Sequence, residues 1–144
     1  MHLGAETVVE TLKLIESNQV KTTIQPAEET KTAYKLNREN CKIDFNKSSK
    51  EVYNLIRGLN PYPSAYTLLT DNGNEYNIKI HDVTYTIEQH NFKPGKFIAT
   101  KKTIRIATND GFIEILSLQF PGKKKMNTAE LLNGMQFSDN ASCN

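Results

Sequence analysis

Ile56-Arg57-Gly58-Leu59-Asn60-Pro61-Tyr62-Pro63-Ser64-Ala65 is the stretch in which the chain changes its apolar period. Before it, Val52, Leu55, Ile56 and Leu59 recur at the spacing of one helical face. Pro61 and Pro63 then bar helix, since each lacks an N–H and pushes the residue before it toward extended backbone. Gly58 loosens the last turn. After Ala65 apolar and polar residues alternate. The stretch therefore fixes how a helix meets the mouth of a sheet.

Working outward, the helix is expected over residues 48–60. Ser48 and Glu51 stand three apart as a capping box, the hydroxyl taking an orphan N–H and the carboxylate reaching back to the cap. On the other side, Tyr66-Thr67-Leu68-Leu69 runs into Asp71-Asn72-Gly73-Asn74, where Asn-Gly supplies the positive φ of a tight hairpin. Tyr76, Ile78 and Ile80 alternate, and so do Val83, Tyr85 and Ile87. The phase slips between the two sets, which predicts a bulge near His81-Asp82. Phe97-Ile98-Ala99 and Ile104-Arg105-Ile106-Ala107 read as short strands. Residues 112–120 read as a nearly continuous buried strand that includes Leu116. About five strands with a capping helix predict a mainly β fold, a small closed barrel of OB type, with an open sandwich as the alternative. A loop through residues 121–126 leads to a short helix capped by Asn127 and Glu130. Residues 138–144 read as a frayed tail.

Residues 3–20 read as a further helix with Val8, Val9, Leu12 and Ile15 on one face. A lone helix of this length is marginal in water, so it needs a partner: the domain that follows, another chain, or a preceding domain. Residues 21–42 have no apolar period and read as a linker. The domains expected are thus 1–20, 21–42, 43–137 and the tail 138–144.

The formal net charge is only +2, but its distribution is uneven. Residues 93–125 hold eight Lys/Arg against two Asp/Glu, a net of +6, and the remainder is net −4. A basic face of this kind suits nucleic acid; a solvated lysine-rich sheet is the plainer alternative. The lysines involved are Lys101 and Lys102 with Arg105, and Lys123-Lys124-Lys125. Aromatics at Tyr66, Tyr76, Tyr85 and Phe97 lie mostly in core phase, which favours a grip on the backbone of a folded RNA over stacking on single strands. His81 reads as a rim or solvent-facing strand residue and His90 lies in a turn, neither with catalytic partners, and the Asp71–Asn74 turn lacks the glutamate that closes a calcium loop. Cys41 and Cys143 have no metal spacing and fit a reducing cytosol. No apolar run approaches the ~20 residues of a membrane span.

Several of these segments carry a family resemblance. Arg57-x-x-Asn60-Pro61-x-Pro63-x-Ala65 is similar to the joint that opens the C-terminal domain of methionyl-tRNA formyltransferases. Leu116-Ser117-Leu118-Gln119, then Gly122-Lys123-Lys124-x-Met126, then Leu131-Leu132-Asn133-Gly134 are similar to later landmarks in the same order. So is Lys35-Leu36-x-x-Glu39-x-x-x-Ile43-Asp44-Phe45, with Phe45 where an aromatic is common. The resemblance runs from Leu3 to Phe137, and the first helix is similar to the last helix of the family's α/β catalytic domain. It implies a C-terminal tRNA-binding portion, with initiator methionyl-tRNA as partner and Lys35, Arg38, Lys123 and Lys124 on matching basic positions. Lys101, Lys102, Arg105 and Lys125 are added on charge alone. Arg57, Asn60, Pro61 and Pro63 are expected to be structural.

The family transfers a formyl group from 10-formyltetrahydrofolate, using an Asn, a His and an Asp of the N-terminal domain. No such segment is found in this sequence. The chain is therefore expected to bind no cofactor and to be inactive alone, with the catalytic domain as a partner, self-association through the first helix as a further option, and the cytoplasm as its place. Two alternatives remain: the C-terminal domain of a sugar-nucleotide formyltransferase, which shares the joint, and a non-catalytic module that docks a separate catalytic subunit.

Overall fold

The computed structural model describes residues 2–27 and 33–144. The chain divides into two compact units, Met1–Tyr34 and Lys35–Asn144. In the first, α1 spans His2–Glu16 and is shorter than the expected 3–20. It ends where Asn18 takes a left-handed φ of 54°. Val8, Leu12 and Ile15 on this helix are exposed. Part of the expected linker, residues 28–32, lies outside the described residues.

The second unit opens with a single 3-10 turn, Glu39–Cys41, that buries Cys41. Helix α2 follows over Ser49–Leu59, and both halves of the Ser48/Glu51 capping box are formed. Its buried face is Val52, Ile56 and Leu59. Its first turn is pinned from afar: the Ser49 N–H donates to Asp110 Oδ1 at 2.6 Å, and the Ser49 hydroxyl meets Thr108 Oγ1 at 2.6 Å. Ser49 and Thr108 are both fully buried, so each hydroxyl satisfies the other.

The sheet comprises β1 (Ala65–Asp71), β2 (Asn74–Ile87), β3 (Phe97–Ala99), β4 (Ile104–Ala107), β5 (Gly111–Gln119), β6 (Met126–Asn127) and β7 (Ser142–Cys143). All its ladders are antiparallel. The order is β3-β4-β5-β2-β1-β7, with β6 pairing antiparallel to β5 off this path. The β1–β2 hairpin turns at Asn72 and Gly73, with φ of 48° and 77°. The register of β2 on β5 shifts between Ile80 and Val83, so the bulge sits where the phase slip put it. The core is Ile78, Ile80, Ile104, Ile106, Ile113, Ile115 and Leu118 from the sheet, with Ile56 and Val52 from α2 closing one mouth. Helix α3, Thr128–Gly134, is capped by Asn127 and Glu130 as expected and inserts Leu131.

Three expectations fail for reasons of tertiary structure. Residues 138–144 are not frayed. β7 pairs with β1 and bridges Lys96 beside β3, so the tail is the stave that brings the open sheet to a nearly closed barrel. Asp71 anchors it by accepting from the Ser138 N–H and hydroxyl, and Lys96 Nζ donates to the Asp139 carbonyl. Leu116 is exposed, because it follows core residue Ile115 and alternation points it outward; the register shift beyond it returns Leu118 to the core. His81 is buried rather than solvent-facing, since the bulge folds it under the loop that follows β5.

Candidate functional site

The hairpin register sets one outer row of the barrel. Tyr66 on β1 pairs with Lys79 on β2, and Lys79 pairs with Gln119 on β5. Directly paired residues project to the same face, so the three form a strip across three strands. At its far end Gln119 Nε2 donates to the Lys123 carbonyl at 2.8 Å, and the Lys123 N–H donates to the Phe120 carbonyl. This holds residues 123–125 against the strip. Lys123, Lys124 and Lys125 are all exposed.

At the near end, the loop before the 3-10 turn is stapled by two asparagines. The Asn37 N–H donates to Asn40 Oδ1 at 2.8 Å, the Asn40 N–H donates to Asn37 Oδ1 at 2.9 Å, and Asn40 Nδ2 donates to the Lys35 carbonyl. The staple presents Arg38 to the strip, its guanidinium carbon 5.6 Å from the centre of the Tyr66 ring. Arg38, Pro63, Tyr66, Asn77, Lys79 and Pro121 line a groove of about 580 Å³ between loop and sheet. Its lining includes no carboxylate, and neither Arg38 nor Lys79 is in an ion pair among the described residues.

The bulge orients the basic loop. Asp82 Oδ2 accepts from Lys125 Nζ at 2.6 Å and from the Ser117 hydroxyl, while Asn60 Nδ2 of the joint donates to Asp82 Oδ1 at 3.4 Å. The Lys125 ammonium, then the Ser117 hydroxyl, hold the Asp82 carboxyl below its ordinary value. Beside it, His81 is 8% exposed and its Nε2 has no hydrogen-bond partner among the described residues. Burial, then the nearby Lys125, press the His81 imidazole below its ordinary value. His90 is structural: Nε2 lies 2.9 Å from the Gly111 carbonyl and Nδ1 accepts from the Phe92 N–H, which fixes the tautomer.

The structure thus places Arg38 at one end of the strip and the Lys123-Lys124 loop at the other, with Lys35 in the stapled loop, while Lys125 is paired with Asp82 and its charge is already matched. Lys101 and Lys102 project from a tight turn closed by Thr100 and Thr103 between β3 and β4. The register places that turn beyond Ile104, toward the end of β5 from which residues 123–125 depart. Arg105 stands apart. It is paired with Glu88 at 2.7 Å and lies 3.9 Å over the Phe112 ring, so its charge is already matched. In the joint, Asn60 carries the polar link, Pro61 and Pro63 follow cis peptide bonds within a turn that the Ser64 N–H closes on the Leu59 carbonyl, and Arg57 is exposed without an ion pair among the described residues. Lys79 is the residue that reading the sequence missed. Counting outward from the Asn72-Gly73 turn would have placed it opposite Tyr66.

Among the described residues no group of three His, Cys, Asp or Glu is placed to hold a metal ion, and no helix is long and apolar enough to cross a membrane.

Known proteins resemble this chain in sequence and in fold. Over 142 residues it is 56% identical to a methionyl-tRNA formyltransferase of Flavobacterium johnsoniae, a match covering 98% of this chain and 45% of that protein. It is 39% identical over 145 residues to the methionyl-tRNA formyltransferase of Bacteroides fragilis, covering 96% and 45%. The chain therefore spans less than half the length of these relatives. Among solved structures, a variant of HypX from Aquifex aeolicus superposes with a TM-score of 0.56 at 23% identity, covering 92% of this chain and 24% of that one, a likeness of fold. The family described as formyl transferase, C-terminal domain, matches residues 35–136. That span takes in the joint, strands β1–β6 and the basic loop, and the chain belongs to the formyl transferase C-terminal domain family.

Proposed function

We propose that this chain is the tRNA-holding portion of a methionyl-tRNA formyltransferase, working beside a catalytic domain that transfers formyl from 10-formyltetrahydrofolate to initiator methionyl-tRNA in the cytoplasm. In this reading residues 1–20 are the last helix of the catalytic domain, and the polar segment that follows is the linker. The observation that carries the reading is the 56% identity to a protein of that name, across nearly the whole chain. The strip gives it a physical basis. Arg38, Lys79, Lys123 and Lys124 share one outer strip, with Lys35 beside it, and four or five such cations can neutralise that many phosphates of a folded RNA. The tRNA enzyme is preferred over a sugar-nucleotide formyltransferase because the relatives reported above carry the tRNA enzyme's name and match nearly the whole chain.

The test is initiator-tRNA binding across a salt series. Roughly four phosphate contacts predict about a hundredfold loss of affinity between ~50 and ~200 mM salt. Affinity that ignores salt, or no binding at the low end, overturns the reading.

A further inference from the structure

The groove beside the strip is built differently from the rest of the basic face. Tyr66, Pro63 and Pro121 give its lining apolar surface, Arg38 lies over the Tyr66 ring, Lys79 pairs with Tyr66 on the neighbouring strand, and Asn77 also lines it. A larger hollow of about 700 Å³ elsewhere on the unit mixes Lys42, Lys93 and Lys96 with Glu39 and Asp44 and so has no single sign. The groove is cationic without a carboxylate in its lining, and Tyr66, Pro63 and Pro121 add apolar surface to it. Lysines on a flat sheet suffice to hold a backbone. A lining that includes an aromatic ring and two prolines instead suits a flat, weakly polar face, and the two cations suit an anion attached to it. A nucleotide has both parts.

We propose that this groove takes one unstacked nucleotide of the bound RNA: its base lies on Tyr66 between Pro63 and Pro121, and its phosphate lies between Arg38 and Lys79. This rests on the tRNA-holding reading and adds to it a subsite that contacts a base. The Asn77 amide offers both a donor and an acceptor to the edge of the base. The cost of occupying the site is the displacement of Arg38 from above the ring, a half-exposed contact at 5.6 Å that a base can replace.

The experiment uses the whole 144-residue chain, labelled with nitrogen-15 and titrated separately with adenosine 5′-monophosphate, adenosine and inorganic phosphate. Adenosine 5′-monophosphate should shift the amides around Arg38, Tyr66 and Lys79 at millimolar concentration, and each half-ligand should do so more weakly. Tyr66→Leu, which keeps the site apolar, should weaken adenosine 5′-monophosphate about tenfold through lost stacking. Lys79→Gln, at an exposed position, should weaken it while leaving adenosine unchanged. Equal shifts with phosphate alone, shifts confined to residues 101–102 or 123–125, or no response to the two substitutions each overturn the proposal. The same variants are then tested on initiator tRNA. If tRNA binds but the groove stays silent, the subsite falls and the tRNA reading stands. If the groove answers to the nucleotide but tRNA does not bind, the tRNA reading falls.

Discussion

Replacing Gly95 by alanine tests how the barrel is closed. Gly95 has a φ of +86°, and a Cβ there would lie 2.2 Å from the Cys143 carbonyl oxygen of β7. Backbone cannot yield to such a contact as a flexible side chain would, so β7 must move. The left-handed conformation alone costs alanine roughly 1–2 kcal/mol. Moving β7 weakens the bond from the Cys143 N–H to the Gly95 carbonyl, 2.7 Å, and the one from the Phe97 N–H to the Ala141 carbonyl, 3.1 Å. Each contributes about 0.5–1.5 kcal/mol. Gly95→Ala should therefore destabilise the unit by roughly 2–5 kcal/mol, lowering the midpoint of thermal unfolding by about 10–20 °C. Circular dichroism during heating measures this. A second readout is the Cys143 thiol, which burial pushes up to about 12 and keeps inert. In a Cys41→Ala background, Cys143 should react with a thiol reagent faster in the Gly95→Ala protein than in its parent. A midpoint within ~3 °C of the parent, together with unchanged thiol reactivity, would refute the closure by β7.

Other perturbations read other parts of the structure. The Ser49 N–H, and then its hydroxyl, hold the Asp110 carboxyl below its ordinary value, so the ionised form is the stabilising one. That contribution is complete above the unfolded value near ~3.9 and is lost as pH falls through the lower folded value; urea unfolding of Asp110→Asn should show a deficit at neutral pH that vanishes in strong acid. Ile56 is fully buried at the mouth of the barrel, and Ile56→Ala should cost about 2–5 kcal/mol by chemical denaturation. Charge reversal at Lys123 and Lys124 should weaken tRNA binding and flatten its salt slope by about two units, while Arg105→Gln, whose charge already faces Glu88, should leave the slope unchanged.

What the sequence disclosed was local. The two capping boxes, the Asn72-Gly73 turn and the slip at His81-Asp82 depend on residues within a few positions of each other, and each stands in the structure. What it hid depends on partners far along the chain. Ser142 and Cys143 sit in a polar tail that looks unstructured until Thr70 and Leu69 of β1 and Lys96 are set beside it. Leu116 looks like core because it stands in an apolar run, until the pairing of Ile115 with Val83 sets the inward phase and leaves Leu116 outside. Lys79 looks like an ordinary solvent-facing strand residue, and its meaning comes from the Arg38 loop folding across Tyr66. Charge density singled out Arg105 equally with the lysine triplet, because a count of charges does not register Glu88 across the sheet edge.

The position of β7 also bears on the order of assembly. The β1–β2 hairpin needs only a two-residue turn and can form early, whereas β7 must find β1 and the start of β3 from far along the chain. Until that late meeting, the edges of β1 and β3 stay unsatisfied, and an unsatisfied edge is an invitation to pair with a neighbouring molecule. The handful of residues at the end of the unit thus covers two strand edges that a neighbouring molecule could otherwise pair with.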